Sequence, residues 1–132
     1  MPRLSRPAVL LGGFVLGLAL WLIPTFVLHE YEPWDGRGPW YQLALVAGGL
    51  LLGFLGPGRP GAAVAGIFAG QLAVLLWRVV AQPATSELWM VGVVFLAGYS
   101  FVAAGLGALI GSALRRRLGP EAGDRRVSDR RT

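Results

Sequence analysis

A chain of 132 residues that is 55% hydrophobic and only 14% charged, with a net charge of +5, is one domain's worth of sequence, far more apolar than a water-soluble domain. The chain has no Cys and no Lys, which excludes disulfides, thiolate nucleophiles, zinc–thiolate sites, a phosphate-binding GxxxxGK loop and Schiff-base chemistry. Its basic balance does not point to nucleic acid, because the Arg-rich stretch after Leu114 alternates with Glu121, Asp124 and Asp129 and offers no aromatic ring to stack on a base.

The apolar residues concentrate in four segments that define the expected spans, residues 7–28, 40–56, 61–81 and 88–114. At 1.5 Å per residue these reach roughly 25 to 40 Å, against a hydrocarbon core of about 30 Å. Each is long enough to cross, the middle two only just. The first span is too long for a signal-peptide core, and its far end, Ile23-Pro24-Thr25-Phe26, lacks a small-x-small cleavage pattern, so it is read as a retained helix. Pro24 removes a backbone donor and is expected to kink that helix against Leu20.

After the first span comes the longest loop, His29 to Pro39, with turn chemistry at Pro33, Gly36, Gly38 and Pro39. The second and third spans are joined by Gly56-Pro57-Gly58-Arg59-Pro60-Gly61, short enough to force an antiparallel hairpin. Before the fourth span, Thr85 or Ser86 can cap its helix.

Arginine asymmetry orients the chain. Arg3, Arg6, Arg59, Arg115, Arg116, Arg117, Arg125, Arg126, Arg130 and Arg131 fall on one side; Arg37 and Arg78 fall on the other, beside Glu30, Glu32, Asp35 and Glu87. The expected fold is therefore all-α, a four-transmembrane-helix bundle over residues 1–114 with both termini cytoplasmic, followed by an Arg-rich tail over 115–132 expected to be disordered. The tail acts as a topology signal and is drawn to anionic headgroups. All five Trp lie toward the outer side, and Trp40, Tyr41, Trp77 and Trp89 read as an interfacial belt. The Gly- and Arg-rich, Lys-free composition suggests a bacterial source, hence a bacterial inner membrane.

Lipid is as apolar as Leu, so such helices associate through close backbone approach and interhelical hydrogen bonds. Small residues four apart occur in every span: Gly13 and Gly17, Gly49 and Gly53, Gly66 and Gly70, then Ala103, Gly107 and Gly111. Of the few polar residues at depth, Gln71 lies about 15 Å up from Gly61, level with Tyr99 and Ser100, and is expected to bond to one of them. Seven residues on, Arg78 can snorkel outward or pair with Glu87 or Glu30. No ionisable acid or base sits mid-span, which argues against proton-coupled pumps and voltage sensors.

Two apparent motifs fail. His29-Glu30-Tyr31-Glu32-Pro33 opens like HExxH but has Pro where the second zinc ligand belongs, and Gly98-Tyr99-Ser100-Phe101-Val102 lacks the second Gly of a nucleophile elbow. One outer-face cluster survives: His29, Glu30, Glu32, Asp35, Arg78 and Glu87. It reads as a divalent-cation or acid–base site, as a hydrated acidic loop, or as a recognition surface through Trp34 and Tyr31. No catalytic residue, resident metal or cofactor is assigned. The leading functional expectation is a non-enzymatic accessory or structural subunit, self-associating or part of a larger membrane complex. An oligomeric uncoupled transporter or channel, and an enzyme working through the outer cluster, are the alternatives.

Overall fold

The computed structural model describes residues 4–27, 39–81 and 89–118. Every element among them is helical: α1 (Arg6–Val27), α2 (Trp40–Leu55), α3 (Pro60–Ala81), α4 (Trp89–Tyr99), a π-helical turn (Ser100–Ala104) and α5 (Gly105–Leu118). The last three form one continuous 30-residue rod. Three of the four rods are long and apolar enough to cross a membrane; α2, with 16 residues, is shorter.

The helix ends follow from local chemistry. Ser5 caps α1, its Oγ accepting from the Ala8 N–H at 3.4 Å, and Pro7 sits in the first turn, where a missing N–H is no loss. Farther along α1, Pro24 lies inside the helix and is buried. The turn from α2 to α3 closes with the Gly56 N–H on the Leu52 carbonyl at 2.9 Å and the Arg59 N–H on the Gly56 carbonyl at 3.2 Å. Gly58 takes the left-handed conformation there, φ 82°, which a side chain would disfavour, and Pro60 then starts α3 with its φ preset for a helix. At the far end, α5 runs through Arg115, Arg116 and Arg117 to Leu118, four residues past the boundary expected at Leu114. Cations in a last turn complement the helix dipole, so the basic run extends the helix rather than ending it. The remaining tail, from residue 119, lies outside the described residues.

The four rods pack as two parallel pairs that skip chain neighbours. The extensive interfaces are α1 with α3 and α2 with α5, whereas α1–α2 and α2–α3 touch far less. Glycine makes both possible. Gly13 and Gly17 face Gly66 and Gly70 in the same chain order, and Gly49 and Gly53 face Ala104 and Ala108, while Gly107 and Gly111 reach the α2 backbone at Val46 and Leu50. At each of these glycines an added Cβ would come closer than 3.0 Å to a backbone carbonyl oxygen of the facing helix. That is the small-xxx-small mode of close helix approach. Ser112 adds a hydrogen bond from its Oγ to the Gly53 carbonyl, 3.2 Å, within the second pair.

A core of Val9, Leu20, Tyr41, Leu45, Leu52, Ala63, Ile67, Ala104 and Ala108 joins the two pairs. Arg59, Arg6 and the Arg115–Arg117 run mark one end of the molecule, which we term the arginine end. The opposite end carries Trp77 and Trp89. Here α2 is recessed: its second residue, Tyr41, meets Gln71, so it starts roughly 10 to 15 Å below the far end of α3 at Ala81. Outer α4 therefore has no α2 alongside it.

Candidate functional site

The recess places a polar joint where the four rods meet. Gln71 is fully buried on the packed face of α3, within the Gly70 contact. Its Nε2 donates to the Ser100 Oγ at 2.9 Å and to the Ile67 carbonyl at 3.3 Å, and its Oε1 accepts from the Tyr41 hydroxyl. Both ends of the amide are thus used, as burial requires. The Trp21 side chain, itself buried, lies beside the same Tyr41 hydroxyl, so each rod contributes one residue.

Ser100 opens the π turn, and the Gly105 N–H returns to the carbonyls of Ser100 and Val102. The extra residue in that turn lets the fourth rod serve two neighbours: Ser100 meets Gln71 on α3, while Ala104 presses on Gly49 of α2. Single π turns of this kind recur at functional positions in helices.

Tyr99 does not join the amide. Its ring packs edge-on against Tyr41, centroids 5.6 Å apart, and stacks with Phe95 at 6.2 Å. Tyr41, read from the sequence as an interfacial belt residue, is instead buried as a donor to Gln71. The physical reason is the recess: a helix that starts at mid-depth carries its first-turn aromatics into the interior. Trp77, in contrast, is 70% exposed, as a belt residue would be. Chemically the joint offers amide, hydroxyl and indole groups, with no carboxylate, imidazole or amine among the described residues around it. Each interhelical bond in such a setting contributes about 0.6 to 2 kcal/mol.

Above the joint, the Arg78 guanidinium lies over the Trp21 ring, 5.0 Å from its centroid, a cation–π contact that ties α3 to α1. Arg78 is the one member of the outer-face cluster within the described residues; His29, Glu30, Glu32, Asp35 and Glu87 lie outside them, as do Tyr31, Trp34, Thr85 and Ser86. Among the described residues no group of His, Cys, Asp and Glu is placed to hold a metal ion.

The second feature is apolar. Along the outer fourth rod Val94, Phe101 and Val102 are 72%, 64% and 72% exposed. On this rod runs a groove of about 340 Å³ lined by Val94, Phe95, Gly98, Tyr99 and Val102. A Cβ added at Gly98 would meet nothing within 4 Å, so this glycine, unlike those of the two pairs, is a notch with no internal occupant. The sequence gives no sign of it, since Gly98 looks no different from the packing glycines. No protein-family model, no curated protein and no solved structure matches the chain.

Proposed function

We propose that the chain is a small polytopic protein of a bacterial inner membrane, a four-transmembrane-helix bundle with both termini cytoplasmic, acting as a non-enzymatic accessory or structural subunit. The buried Gln71 amide is spent on Tyr41, Ser100 and the Ile67 carbonyl, and the packing glycines on the chain's own helices, which suits a rigid body better than a pathway. The observation that carries this reading is the notched outer face of α4, where Gly98 leaves a groove open to close approach by another helix, which we assign to a larger membrane partner.

Because the chain contains no Cys, a single Val94→Cys variant supplies a unique crosslinking handle. Labelled in native membranes with a benzophenone maleimide, whose ketone inserts into any nearby C–H bond on irradiation, and purified in mild detergent, it is expected to yield one stoichiometric adduct with a larger membrane protein, identified by mass spectrometry. Gly98→Leu, which fills the groove without touching the interior, is expected to lose that adduct and keep the fold. A clean self-adduct would overturn the accessory reading and move the assignment to an oligomeric transporter or channel, tested next by flux in liposomes.

A further inference from the structure

The arginine end holds Arg6, Arg59, Arg115, Arg116 and Arg117 at the termini of the rods, and the described residues contain no carboxylate at all. Two of these cations border the α2–α3 turn. Arg59 donates through Nη1 to the Leu4 carbonyl, while the Leu4 N–H donates to the Leu55 carbonyl at 3.0 Å, so its guanidinium is tethered between the chain start and the end of α2. Arg116 arrives from α5: its Nη2 lies 3.6 Å from where a Cβ would stand on Gly58. Beside it, Arg115 lays its guanidinium over the Phe54 ring, 5.2 Å from the centroid. Gly58, at the apex, sets no side chain against the Arg116 guanidinium.

We propose that this corner binds the phosphate of an anionic phospholipid. Cations gathered at one corner with no carboxylate among the described residues favour an anion beside them, and guanidinium forks match phosphate oxygens pairwise. A lipid is favoured over a free anion because the apolar surface continues from the cations. Leu109 lies two turns from Arg116 on the same helical face, with Leu106 one turn farther on; the two are 58% and 54% exposed, an acyl-chain track beginning at the headgroup. The inference rests on the membrane-spanning reading above, through the level at which the rods end.

The full-length protein is reconstituted in phosphatidylcholine vesicles and first washed with alkaline carbonate; release from the vesicles would overturn the spanning reading itself. Protein that stays is then reconstituted in vesicles of equal phosphatidylglycerol and phosphatidylcholine, and native mass spectrometry after transfer to detergent compares how much of each lipid is retained. Each guanidinium at a membrane surface is expected to favour the anionic lipid about fivefold, so Arg116→Gln should cut the preference by about that factor and Arg59→Gln/Arg116→Gln further. Arg116 is exposed, so the single variant keeps the fold and decides the matter if the double variant does not. The tail variant Arg130→Gln/Arg131→Gln is expected to leave the preference within about twofold. Equal retention of both lipids, an undiminished preference in Arg116→Gln, an equal loss in the tail variant, or displacement of the lipid by inorganic phosphate at equal concentration would each overturn the site.

Discussion

Substituting Gly17 by Ala is the sharpest test of the parallel-pair packing. The added methyl would stand 3.1 Å from both the Gln71 nitrogen and the Gly70 Cα, and nearer than 3.0 Å to the Ile67 carbonyl oxygen. Ordinary contact begins at 3.4 Å, and all three neighbours are backbone atoms of a facing helix, so no rotamer change relieves the overlap. The rods must part by roughly 1 Å, a misfit of the overpacking kind that costs about 1 to 3 kcal/mol. Separation at Gly17 also loosens Gly13, Gly66 and Gly70, so Gly70→Ala added to Gly17→Ala should cost less than the two singles combined. Gly98→Ala is the control, with nothing within 4 Å of its new methyl; there the helix propensity of Ala should stabilise by up to about 1 kcal/mol. Stability is read by thermal unfolding in one detergent with matched concentrations. If Gly17→Ala unfolds together with wild type or with Gly98→Ala, the α1–α3 contact is not a backbone contact and the pairing is wrong.

Gln71→Leu strands the buried hydroxyls of Tyr41 and Ser100 and should lower stability by about 1 to 3 kcal/mol, with a coupling of about 0.6 kcal/mol to Ser100→Ala in a double-mutant cycle. An unchanged or raised melting temperature would show that the amide is not an interhelical tie, and a pathway role would become the better reading. Reporter fusions after Thr132 and within the Glu32–Gly38 loop should signal opposite sides of the membrane; matching signals would reject the four-span topology.

The helices were legible in the sequence because uncharged runs of this length have few alternatives, and the glycine spacing of each span was legible as a contact stripe. Which stripes meet was not. Spacing alone gives four similar surfaces, and only the shape of the whole assembly selects Gly13–Gly17 with Gly66–Gly70 rather than with the chain neighbour at Gly49–Gly53. Depth matching brought Gln71 to Ser100, since both lie near the middle of long rods. It failed for Tyr41, because a 16-residue helix need not be centred in the membrane, and the recess that buries Tyr41 depends on where α2 docks against α5. The π turn left no mark in composition, being a response to two simultaneous contacts. The outer-face cluster lies almost wholly in segments outside the described residues, so only Arg78 acquired a neighbour, Trp21, that sequence spacing had not proposed.

The order in which the pairs form has a consequence for biosynthesis. Helices enter a membrane one after another, and a hairpin made of consecutive spans usually matures as soon as its second helix arrives. Here the notches of α1 stay uncovered until α3 has been made, and those of α2 until α5 is complete. On the membrane-spanning proposal, the first two helices therefore wait for partners encoded more than fifty residues downstream.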